Sequence, residues 1–222
     1  TVFQISDLYS KLHMKTLLTP VLFVLFSICS LKAQTTFGVK GGLNLASINI
    51  DNSDMILAWH AGAFSHMPLG GKVFFQPELL ISRKGTRLKD FFYTSDLTFN
   101  IVYLSMPLVM GVEAGEHFLF HIGPELSYRL AGGFEIEDQE SNIDKEYYSD
   151  WDFGLDAGVT YQMTRRFGLT LRYCFGFTNV MQIKFVDELG QDLGGFTEGK
   201  NRVLQASISY TISSGNEATG TE

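Results

Sequence analysis

Strict alternation of large apolar residues with small or polar ones, repeated in segment after segment, is what most limits the folds open to this chain. Between residues 167 and 177, Phe167, Leu169, Leu171, Tyr173, Phe175 and Phe177 share one parity, and Gly168, Thr170, Arg172, Cys174 and Gly176 share the other. A helix would scatter these around its circumference, whereas a strand sends them to opposite faces. The same pattern runs through residues 37–45, 59–67, 75–84, 103–112, 118–130, 151–162 and 204–212. That makes eight strands, each close to the 9–11 residues of a tilted membrane strand. Alternation alone does not say which face is buried, because a soluble sandwich shows it too.

The connections discriminate. Short joins fall near Leu69-Gly70-Gly71, from Glu113 to Glu116, and near Thr164-Arg165. Longer ones fall at 47–56, 85–98, 131–149 and 179–200. Short and long alternate strictly, which is the pattern of an outer-membrane barrel with tight periplasmic turns and longer outside loops. The polar parity is also rich in glycine (Gly38, Gly42, Gly62, Gly123, Gly158 and others), as a narrow eight-strand interior requires. The expected fold is all-β: an eight-stranded antiparallel up-and-down transmembrane β-barrel.

With 222 residues and 45% hydrophobic content, the chain suits one domain and is too apolar for disorder. A formal net charge of −7 argues against a nucleic-acid surface. No run of 18 apolar residues occurs in the body of the chain, which excludes a helical membrane protein. Met14 to Ala33 has the form of a Sec-type signal peptide. Lys15 supplies the positive start, Leu17 to Cys29 the apolar stretch, and Ala33 the small residue before the cut. The expected division is an upstream leader and cleaved signal peptide over 1–33, a mature start at Gln34, a barrel over 34–212 and a polar tail over 213–222. Only Cys174 remains after the cut, so no internal disulfide is expected.

Several short motifs carry a resemblance. They are Phe37-Gly38-Val39-Lys40-Gly41-Gly42-Leu43-Asn44, Gln76-Pro77-Glu78-Leu79, Tyr103-Leu104-Ser105-Met106-Pro107-Leu108, Gly123-Pro124-Glu125, and Arg172-Tyr173 with Gly176 and Thr178-Asn179. In this order and spacing the chain resembles the PorT-like, or "porin family", outer-membrane β-barrel proteins of the Bacteroidetes. The resemblance implies an outer-membrane location and a barrel, with no enzymatic activity to carry over. One departure is the polar tail after Ile208-Ser209-Tyr210-Thr211-Ile212, where such barrels usually end on an aromatic residue that the barrel assembly machinery reads.

By strand parity the inward face carries Lys40, Glu78, Lys84, Glu125, Arg129, Asp152, Asp156 and Arg172, four basic and four acidic groups. Unpaired buried charge is costly, so a balanced set in a narrow lumen points to a self-neutralised polar plug. An ion path or ligand site is the competing reading. Asp156 and Arg172 are expected to be direct or near-diagonal neighbours across the turn near Thr164-Arg165. His60, His66 and His121 also face inward, but no metal-ligand spacing, Cys/His pairing or nucleophile elbow accompanies them. No catalytic residue, metal or cofactor is therefore expected, and Cys174 is taken as a small inert residue. The acidic 131–149 segment offers divalent-cation bridging to lipopolysaccharide or docking of a basic partner, without EF-hand spacing. Arg83 and Arg202 are placed to snorkel toward lipid phosphates.

The leading expectation is a small non-enzymatic outer-membrane barrel with a structural, adhesive or envelope-machine accessory role of the secretion type. Its partners would be outer-membrane lipid and lipopolysaccharide, the barrel assembly machinery and envelope proteins, with no nucleic acid. The alternatives are a narrow porin or small-solute binding barrel, then a membrane-embedded lipid-modifying enzyme, then a soluble lipocalin-like carrier.

Overall fold

The computed structural model describes residues 35–50, 52–92, 95–136, 139–142, 149–186 and 192–212. The expected signal segment and the polar tail lie outside the described residues, as do the side chains of most of the acidic 131–149 segment.

Twelve strands are described. They are β1 (Thr36–Ile48), β2 (Ser53–Asp54), β3 (Ile56–Gly70), β4 (Val73–Phe92), β5 (Ser95–Ala114), β6 (Phe118–Ile136), β7 (Gln139–Asn142), β8 (Trp151–Gln162), β9 (Phe167–Gly176), β10 (Met181–Val186), β11 (Asp192–Gly199) and β12 (Asn201–Ile212). Eight of them close a ring in the order β1, β3, β4, β5, β6, β8, β9, β12, with β12 returning to pair with β1. Every pairing in the ring is antiparallel. Closure leaves no strand edge open, which a sheet in lipid requires.

Burial settles what alternation left open. The large residues point outward and stay exposed, among them Phe120 at 50%, Leu171 at 52% and Ile208 at 60%. The polar parity points inward and is buried, including Lys40, Asn44, Glu78, Ser105, Asp156 and Arg172. A water-soluble protein does not carry an apolar belt right around its surface. In lipid that belt is the solvated face. Aromatic rings cluster at both of its edges. Phe118 meets Tyr161 and Phe167 meets Tyr210 at the turn end, while Tyr128 meets Trp151 at the loop end. Trp151 and Tyr161 stand ten residues apart on β8. At about 3.3 Å per residue and a tilt near 40°, that is roughly 25 Å across the membrane, the height of the apolar band in such barrels.

The short turns fall where the sequence puts them. Gly71 and Gly115 hold φ of 61° and 66°, a backbone region that a side chain disfavours. At the third turn the Thr164 hydroxyl accepts from the backbone N–H groups of Arg166 and Phe167 at 3.2 and 3.0 Å.

The long connections differ from the expectation of plain loops. β4 and β5 run 20 residues each and β6 runs 19, so the 85–98 region is mostly paired strand. β2 pairs with β4, β7 folds back on β6, and β10 and β11 form a separate hairpin. The physical reason is a change of solvent. Past Arg83 on β4 and before Val102 on β5, Leu88, Leu97, Phe99 and Ile101 point inward and are buried, while Arg87, Lys89, Thr98 and Asn100 share the outward parity. Period two continues, but its polarity inverts because these strand ends stand in water rather than lipid. Leu88, Leu97, Phe99, Ile101 and Tyr103 pack with Ile48 and Val180 into an apolar cluster that fills the loop end of the lumen.

Candidate functional site

Three layers fill the barrel interior. The apolar cluster lies at the loop end, charged and amide side chains lie in the middle, and a cavity of about 300 Å³ opens at the turn end. Lys40, Phe74, Gln76 and His121 are among the residues lining that cavity.

Arg172 is the hub of the middle layer. It rises from β9, and its guanidinium grips Glu78 on β4, the strand opposite in the ring, by Nη2 to Oε1 at 2.6 Å and Nη1 to Oε2 at 3.0 Å. Both side chains are fully buried. Nη1 also donates to Asp156 Oδ2 at 3.2 Å. The β8–β9 register pairs Arg172 with Gly158 and Asp156 with Cys174, so the Asp156 contact is a diagonal one. Nε donates to His121 Nε2 at 3.3 Å; a guanidinium only donates, so that imidazole nitrogen accepts. Lys40 completes the group with bonds to both Glu78 oxygens, at 3.2 and 3.0 Å. Gln76 adds a third donor to that carboxylate at 2.7 Å.

A second group lies nearer the loop end. Lys84 meets Glu125 at 2.5 Å and Asp152 at 4.0 Å. Ser127 donates to Glu125 Oε1 at 2.8 Å, and Asn201 to Asp152 Oδ2 at 2.7 Å. A neutral group braces the wall beside it. Asn44 Oδ1 accepts from His60 Nδ1, and His60 Nε2 in turn takes the Ser207 hydroxyl, each at 2.7 Å.

All eight of the charged residues singled out by parity are buried. Seven of them join the two groups. Arg129 instead meets Asp150 at the rim at 2.7 Å. The central set is therefore Lys40, Lys84 and Arg172 against Glu78, Glu125, Asp152 and Asp156, three cations facing four anions rather than four facing four. The amides and hydroxyls that brace these groups, Asn44, Gln76, Asn201 and Ser207, share the inward parity and were open to the same count. The apolar loop-end layer was not, because the inversion of polarity hides it. His66 lines the turn-end cavity, 3.3 Å from Gln76. Arg202 lies over the Phe175 ring at 3.7 Å and donates to the carbonyls of Gly176 and Asn201.

Comparison with known proteins agrees with this geometry. No curated protein sequence matches the chain. Among solved structures, Neisserial surface protein A is similar at a TM-score of 0.52 and 11% identity, covering 79% of this chain and 97% of that one. The attachment invasion locus protein Ail of Yersinia pestis is similar at a TM-score of 0.46 and 10% identity, covering 80% of this chain and 98% of that one. OprG from Pseudomonas aeruginosa is similar at 0.44 and 11%, covering 80% and 95%. The family described as "Outer membrane protein beta-barrel domain" matches residues 32–182, more than half of the chain. The chain belongs to that family, and it is an outer-membrane β-barrel protein seated among the lipids of that membrane.

Proposed function

We propose that this protein is a non-enzymatic barrel with a closed interior, whose work is structural, adhesive or accessory to an envelope machine of the secretion type. The observation that carries the reading is Arg172 bridging β9 to Glu78 on the opposite wall, both fully buried. Seven of the eight charged residues act as a polar plug: they hold the walls together and leave no aqueous path through the middle layer, while Arg129 pairs with Asp150 at the rim. Eight strands give an interior just wide enough for side chains, and these fill it. The PorT-like resemblance supports the accessory role. Residues 1–33 are removed on export, leaving Gln34 first, and the barrel assembly machinery inserts the product. Planar-bilayer recording tests the plug. The purified protein gives no stable open channel. A reproducible conductance that changes in Glu125→Gln or Arg172→Ala overturns the plug.

A second reading, a small-solute binding barrel, is favoured by the 300 Å³ cavity at the turn end. It predicts saturable uptake of a polar solute, weakened by Gln76→Ala.

A further inference from the structure

We propose that Glu125, Asp156 and Cys174 form a binding site inside the barrel for one thiophilic divalent cation of the Zn²⁺ or Cd²⁺ class. The three come from β6, β8 and β9, and a donor atom of each lies within 4.8 Å of the others. All three are buried. Among the described residues they are the grouping of possible metal ligands.

Proximity of acidic groups makes no site by itself. The second observation is that Glu125 Oε2 and Asp156 Oδ1 are buried with no hydrogen-bond partner among the described residues. Asp152 Oδ1 is a third such oxygen in the same layer. Leaving a buried charged oxygen unpaired is expensive, so these oxygens favour an occupant that brings positive charge, a metal ion or a proton. The other oxygen of each carboxylate is already held, Glu125 Oε1 by Lys84 and Ser127 and Asp156 Oδ2 by Arg172. Ligating carboxylates are held from behind in this way, which fixes the direction of the free oxygen.

Charge selects the occupant. With all four carboxylates ionised, the three cations of the middle layer leave one negative charge over. A divalent ion that displaces the thiol proton adds two positive charges and creates one thiolate, which closes the balance. The step is M²⁺ plus the Cys174 thiol giving a metal–sulfur bond and one proton released to solvent. A hard ion such as Mg²⁺ prefers oxygen alone and gains nothing from the sulfur, whereas Zn²⁺ and Cd²⁺ bind it well. Ligands at about 2.0–2.3 Å from one ion lie within roughly 4 Å of each other, so small side-chain rotations seat all three.

The test uses Cd²⁺ with the full chain, folded in detergent micelles and monitored by its heat-modified gel shift. The expected result is one Cd²⁺ retained per chain, the ultraviolet charge-transfer band of a cadmium–thiolate bond, and one proton released per ion. The band survives Cys29→Ser and disappears in Cys174→Ser. Ser127→Ala, which touches no ligand atom of the ion, weakens binding by about 10- to 100-fold. The wild-type spectrum carries the test even if a variant misfolds. Retention without a thiolate band means binding elsewhere, at histidines, and overturns the proposal. So does no retention at all, which leaves a proton shared between Glu125 and Asp156 as the occupant.

Discussion

Arg172 joins Glu78, Asp156 and His121 in the lumen, and its chemistry explains why the position is an arginine. Its planar fork satisfies two Glu78 oxygens, one Asp156 oxygen and one imidazole nitrogen at once. Lysine keeps the charge but loses the fork, so Arg172→Lys is expected to cost about 1.5–3 kcal/mol in urea unfolding of the folded barrel. Arg172→Ala leaves Asp156 and Glu78 without their guanidinium partner and is expected to cost about 3–5 kcal/mol. Asp156→Ala costs less, because Arg172 keeps its bidentate hold on Glu78. The double variant Arg172→Ala/Asp156→Ala is less destabilised than the two single effects summed; plain additivity contradicts the contact. Strand parity made the inward direction of these residues legible in the sequence. Their partners were not legible beyond the Asp156–Arg172 hairpin contact. Glu78 lies 94 positions from Arg172, and only closure of the ring brings the two walls together.

Strands carry two solvents along one length, and the sequence records the crossing. All eight ring strands were visible as alternating segments, because lipid outside and a polar lumen inside give period two its amplitude. The outer halves of β4 and β5 escaped that reading. There the lumen is apolar and the outside is water, so Leu88 and Phe99 occupy the parity that Lys84 and Ser105 hold deeper in. The same inversion locates the membrane boundary near Arg83 and Val102. Depth then governs what the outward face tolerates. Leu171→Arg, in the middle of the belt, is expected to lower stability by about 2–4 kcal/mol in urea unfolding from lipid vesicles. Phe167→Arg, at the aromatic edge, is expected to cost about 0–1 kcal/mol. Equal costs at the two positions contradict the placement of the belt.

For the molecule as a whole, function and stability rest on an inversion of the soluble-protein plan: charge inside, oil outside. The interior is layered, apolar at the loop end, ionic in the middle and open at the turn end, so solvent enters from the turn side. With the short turns toward the periplasm, as is general in outer-membrane barrels, the cavity faces with them. The outward belt is the claim on which everything else depends, and two native reporters sit on it. Trp59 and Trp151 are the chain's two tryptophans, exposed at 45% and 42% on the lipid-facing parity toward the loop end. The direct measurement is their fluorescence in the unmodified protein, folded into vesicles of phospholipids carrying bromine on the acyl chains. Strong quenching is expected, greater for bromines near the headgroup than for bromines at the chain terminus. Emission as bright as in unbrominated lipid, with the protein folded, would contradict it.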